Sequence, residues 1–219
     1  MSLATKKEGI LRAFVLALLV LISGPESRES LRFAYSWEQG LDDSCGLQAL
    51  ACLLGLYWGD SVSEADLALS LVEGRSGAGR EGIAGVSLGD LVLLARGLGY
   101  EAEAFELGLE DLGPALASYP PILVHYDRPR GHFALILAAI ARPGFEGLLV
   151  VADPASGLQV LGEADFLARW SGYALVLARP GAPAPQARDG DNLAMAIEAG
   201  LGPWRVLEES AGRDWRTEP

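Results

Sequence analysis

Ser44-Cys45-Gly46-Leu47-Gln48-Ala49-Leu50-Ala51-Cys52-Leu53-Leu54-Gly55-Leu56-Tyr57 is the stretch on which the fold of this chain turns. Its apolar residues recur too densely for a single helical stripe, so it reads as a helix that is hydrophobic on almost every side. Such a helix is at home only in the middle of a protein. Gly59 and Asp60 end it. Cys45 opens the helix and Cys52 follows two turns later, roughly 10 Å along the axis, beyond disulfide reach. Each cysteine therefore needs its own account. Cys52 is expected to pack in the core. Cys45 stands at the first turn, where free N–H groups and the helix dipole favour a thiolate. Gly46 beside it is expected to leave room for the backbone of a substrate.

Downstream, Ser63 with Asp66 reads as the cap of a second helix carrying Leu67, Leu69 and Leu71. The glycine-rich segment Glu73 to Gly85 reads as a loop. Ser87 with Asp90 caps a third helix, with Leu91, Leu94, Ala95 and Leu98 on one face and Gly99 just past its end. The character then changes. Tyr100–Phe105, Ile122–His125, Phe133–Ile140, Leu148–Ala152 and Tyr173–Ala178 are strand-like, with a short helix over Asp111–Ser118 despite Pro114. Arg128 to Gly131 would join two of these strands as a hairpin loop. Helices first and strands afterwards predict an α+β domain, a buried helix packed on an antiparallel sheet.

Upstream of the helix lies a different kind of segment. Lys6, Lys7 and Arg12 precede the apolar run Ala13–Ile22, which ends at Ser23, Gly24 and Pro25. A basic start followed by a run too short for an ordinary membrane span predicts export, the segment being either cleaved or retained as an anchor. The chain is therefore expected outside the cytoplasm, in the periplasm or anchored facing it, with any membrane contact made through this segment. Three regions follow: residues 1–30 as signal peptide or anchor, 31–179 as the working domain, and 180–219 as a Pro/Ala/Gly-rich tail with one short helix at Asn192–Ala199. The formal net charge of −12 excludes a nucleic-acid partner, since phosphate binding needs clustered Lys and Arg.

The chain has two histidines. His132 follows a glycine and opens an apolar strand, a place at a sheet end where a base can face a cleft. His125 closes the preceding strand, where a structural role fits better. Val150-Val151-Ala152-Asp153-Pro154 ends a strand with a carboxylate at its tip, and the proline stops it there; alone, such an Asp is equally a turn former. Gln39 lies in the loop before the helix, and its amide can donate to a developing oxyanion alongside the Cys45 N–H. No set of about three converging ligands suggests a metal, and no cofactor is implied.

The pattern Gln39-x5-Cys45-Gly46, then His132-Phe133, then Asp153-Pro154, with Cys45-Gly46-Leu47-Gln48-Ala49-Leu50 and the closing Tyr57-Trp58-Gly59, resembles the C39 peptidases. These are papain-like cysteine peptidases, best known as the leader-peptide-cleaving domains of bacteriocin exporters. The resemblance covers roughly residues 36–177. It implies Cys45 as nucleophile, His132 as base, Asp153 as orienting carboxylate and Gln39 as oxyanion donor. It also implies a peptide or protein substrate, such as a leader-bearing secreted precursor, cut near small residues. Ser44 departs from the Asp that usually precedes the cysteine in transporter-linked members, and no P-loop motif is present, so the chain looks like the stand-alone exported members, among them the one encoded beside secreted functional amyloids. Two other readings fit the same residues: a non-catalytic peptide-binding export accessory, and another papain-fold amide hydrolase or acyltransferase.

Overall fold

Helix α1 covers Cys45–Cys52, and every residue from Gly46 to Cys52 in it is buried. The computed structural model describes residue 33 and residues 35–41, 43–77, 82–83, 85–127, 130–140 and 146–183. The apolar run Ala13–Ile22 and the tail helix expected at Asn192–Ala199 lie outside the described residues.

The buried helix does not continue unchanged to Tyr57. Leu53–Tyr57 forms a π-helical turn, and the Asp60 N–H reaches back to the Leu54 carbonyl at 3.0 Å. Trp37 occupies the space that a side chain at residue 55 would need: its ring would stand 2.3 Å from a Cβ at Gly55. The Trp37 backbone N–H in turn donates to the Cys52 sulfur at 3.0 Å, which holds this residue against the helix.

Helix α2, Glu64–Gly77, begins at a reciprocal cap. The Asp66 N–H donates to Ser63 Oγ, and Asp66 Oδ2 accepts from the Ser63 N–H. Leu67 and Leu71, one turn apart, are buried, whereas Leu69 is 61% exposed. A residue two positions on lies on the opposite side of a helix, so Leu69 does not belong to the packing face. The helix also runs five residues into the segment read as loop, Glu73 to Gly85. The reason is Arg75, which is buried and donates to the Gly82 and Gly85 carbonyls at 3.0 and 3.2 Å. It also pairs with Asp90 at 2.8 Å. Ser87 and Asp90 form the expected capping box of α3, Leu88–Gly97, and Gly99 takes the left-handed conformation just beyond it (φ +89°). Leu91 and Ala95 face the core, while Leu98 falls past the last turn and is exposed.

Among the described residues six strands follow: β1 Glu101–Glu106, β2 Ile122–Tyr126, β3 His132–Ile140, β4 Leu148–Asp153, β5 Gly157–Gly162 and β6 Trp170–Ala178. Helices α4, Leu109–Ser118, and α5, Glu163–Leu167, are interleaved with them. The sheet order is β1-β6-β2-β3-β4-β5, and every neighbouring pair is antiparallel. β1, reading Glu-Ala-Glu-Ala-Phe-Glu, forms one edge with all but Ala102 exposed. Strand β5 and helix α5 carry no pattern that the sequence reading had picked out.

Side chains alternate across the sheet, as the pleat requires. From β3, Phe133, Leu135 and Leu137 join α1, α2 and α3 in one core, and Ala134 and Ile136 join α4, α5 and Trp170 in the other. Burial on both faces explains why β3 reads as an unbroken apolar run.

Candidate active site

The start of α1 rests on the start of β3, and Gly46 sets how closely. A Cβ on Gly46 would meet the Phe133 ring at 2.9 Å and Val86 Cγ1 at 3.3 Å. The expectation that Gly46 leaves space for substrate is therefore corrected. Its missing side chain lets the helix sit down on the strand, which brings the neighbours Cys45 and His132 together.

His132 lies between two partners. Its Nε2 is 2.9 Å from Asp153 Oδ1, and the Cys45 side chain lies near enough to the ring to influence its charge. With Nε2 on the carboxylate, Nδ1 is the nitrogen left for the sulfur. Burial disfavours the charged ring, but the Asp153 and Cys45 interactions outweigh it and raise its pKa from 6.5 to about 10. The Tyr126 ring stacks on the imidazole at 6.2 Å and 25°, and this neighbour was not foreseen from sequence.

Asp153 ends β4 and organises the turn after it. Its Oδ1 accepts the Ala155 and Ser156 N–H groups at 2.7 and 3.2 Å as well as the imidazole. Burial raises its pKa, and the His132 hydrogen bond and charge, with the Ala155 N–H and the Ser156 side chain, override that and hold it below its ordinary value. The same carboxylate thus both binds the turn after β4 and meets the imidazole.

Gln39 lies in the loop before α1. Its backbone N–H donates to the Pro154 carbonyl at 3.0 Å, and Ser36 Oγ donates to the Asp153 carbonyl at 3.2 Å, so this loop is moored beside the carboxylate. The Gln39 amide donates to the Leu41 carbonyl at 2.7 Å. Ser44 Oγ also lies 2.6 Å from that carbonyl. The structure thus brings Cys45, His132 and Asp153 into one row, with Gln39 in the adjoining loop.

The other two candidates stay apart. Cys52 is fully buried, its thiol pushed up to about 11 by burial despite the Trp37 and Gln48 hydrogen bonds. His125 pairs with Ser171 Oγ at 3.1 Å and packs on Phe133 at 4.9 Å. Burial holds it below its ordinary value, with Asp127 opposing and His132 adding to the effect.

A sulfur at a buried helix start, carried on an antiparallel sheet that supplies the imidazole, belongs to the papain-like cysteine peptidases. The solved peptidase domain of Streptococcus ComA, a bi-functional ABC transporter involved in a quorum-sensing pathway, shares this fold with a TM-score of 0.54. It is 21% identical, and the match covers 66% of this chain and 98% of that one. The family model of the peptidase C39 family matches residues 35–181, and the chain belongs to that family. It is a cysteine peptidase. It is also 28% identical to the probable functional amyloid protease FapD of Pseudomonas fluorescens over 184 residues, 74% of this chain and 77% of that protein. A double glycine motif protease from an AMS/PCAT transporter, solved with its leader peptide, matches at a TM-score of 0.49 and 21% identity, over 65% of this chain and 89% of that one.

Proposed function

We propose that Cys45 is the nucleophile of this peptidase, His132 its general base, Asp153 the group that orients the imidazole, and Gln39 an oxyanion donor. The observation that carries the reading is the hydrogen bond of His132 Nε2 to Asp153 Oδ1 at 2.9 Å, on an imidazole whose charge the Cys45 side chain also favours. The imidazole takes the thiol proton, the sulfur attacks a peptide carbonyl, and the Gln39 amide with the helix-start N–H stabilises the oxyanion. The imidazolium protonates the leaving amine. The acyl-enzyme is then cleared by a water that His132 deprotonates.

The client is an exported peptide or protein cut beside small residues, and the likeness to FapD points to a protein of a functional-amyloid system. The enzyme acts outside the cytoplasm, in keeping with the basic start and the apolar run Ala13–Ile22. Hydrolysis of a peptide carrying Gly-Gly before a coumarin amide tests the assignment. Cys45→Ala and His132→Ala are expected to lose on the order of 10²–10⁴-fold in rate or more, while His125→Ala keeps most of it. Equal losses in the two histidine variants would remove His132 from the role of base.

A further inference from the structure

Glu64 opens α2 and belongs to neither the core nor the row of sulfur, imidazole and carboxylate. Both of its carboxylate oxygens nevertheless reach into the loop that leads to Cys45. Oε2 accepts the Gly40 N–H at 3.0 Å, and Oε1 is hydrogen-bonded to Ser44 Oγ. Gly40 is the residue after Gln39, and Ser44 is the residue before Cys45. One side chain from a separate helix thus grips the loop next to each of the two groups that have to converge on a scissile carbonyl.

The grip on Ser44 has a second effect. A serine at a helix N-cap normally turns its hydroxyl onto the free N–H groups of the first turn. Ser44 makes no such cap bond to α1; its hydroxyl faces Glu64 and the Leu41 carbonyl instead. The helix-start N–H groups are thereby not claimed by their own cap residue. The Leu41 carbonyl also receives the Gln39 amide, so Gln39, Leu41, Ser44 and Glu64 form one connected network around the loop.

We infer that Glu64 is a positioning residue for the oxyanion site: it fixes the spacing of Gln39 from Cys45 and keeps Ser44 off the start of α1. This inference rests on the roles given above to Cys45 and Gln39. It requires that Glu64 govern the chemistry of acylation and not the reactivity of the sulfur. Displacements of an ångström or less in a reacting constellation cost up to about 10²-fold in rate, and the expected loss is of that order.

The test uses the full chain and the Gly-Gly coumarin peptide, with alkylation of Cys45 by iodoacetamide as a second readout that needs no oxyanion donor. In Glu64→Ala, kcat is expected to fall about ten- to a hundred-fold with KM little changed and with alkylation of Cys45 near the parent rate. Glu64→Gln, which can still accept from Gly40 and donate to Ser44, should recover most of the activity; it also serves if Glu64→Ala does not fold. Combined with Gln39→Ala, Glu64→Ala should add little further loss, because coupled groups are non-additive. Parallel falls in alkylation and hydrolysis, unchanged kcat, or strictly additive losses would each overturn the inference. Full activity in Gln39→Ala would instead overturn the role given to Gln39, and retained activity in Cys45→Ala the role of the sulfur.

Discussion

A methyl group on Gly46 would stand 2.9 Å from Phe133 Cδ2, and the ring cannot retreat because it is itself packed in the core. Gly46→Ala must therefore lift α1 from β3 and part Cys45 from His132. Overpacking of this kind costs about 1–3 kcal/mol, so a roughly ten- to hundred-fold drop in peptide hydrolysis is expected, read by kcat with the fold checked by circular dichroism. His132 gives a second expectation at this scale. Its proton is held to about pH 10 in the folded chain, against an ordinary value of 6.5. The stability it contributes is thus complete below about 6.5 and gone once the pH passes about 10. Thermal melts of the parent should fall more steeply across that window than those of His132→Asn. Equal slopes would show that the imidazole gains nothing from Asp153 and Cys45. Cys45, His132 and Asp153 were legible as candidates because each stands at an element boundary, where a change of pattern marks the position. Gly46 was misread because the partner that gives it meaning, Phe133, is remote in the chain. Glu64 was missed for the same reason, and Tyr126 because it lies one residue past the strand end expected at His125.

The elements themselves were read from periodicity, which is local, and most of them were found. What periodicity cannot show is a side chain that reorganises its own neighbourhood. Arg75 extends α2 into a glycine-rich stretch by binding two carbonyls ahead of it and the cap carboxylate of α3. Removing one member of a buried ion pair costs about 3–5 kcal/mol. Arg75→Ala is accordingly expected to lower the melting temperature by several degrees and to open the chain to protease after residue 77. A melting temperature within a degree of the parent would mean the pairing is incidental. Trp37 acts similarly on the π-helical turn, through contact with Gly55. Strand β5 went unread because glycines bound it and Gln159 interrupts its apolar residues, and α5 is barely more than one turn.

At the scale of the whole molecule, the described residues cover the sheet on both faces and leave its rim open. The rim formed by β1 carries Glu101, Glu103 and Glu106. A strand at a sheet edge is a template on which another chain can lay down its own backbone, and charge along it discourages that union. Fibrils grow by such strand addition. Were the client of the functional-amyloid kind proposed above, the enzyme would meet chains seeking a free edge, and its glutamate-lined border would deny them one. Glu101→Thr with Glu103→Thr should leave hydrolysis of a small peptide intact, since β1 lies three strands from β3. The same pair of changes should make the protein self-associate by light scattering and co-deposit with growing fibrils. A doubly substituted protein that stays monodisperse in their presence would show that the rim needs no such guard.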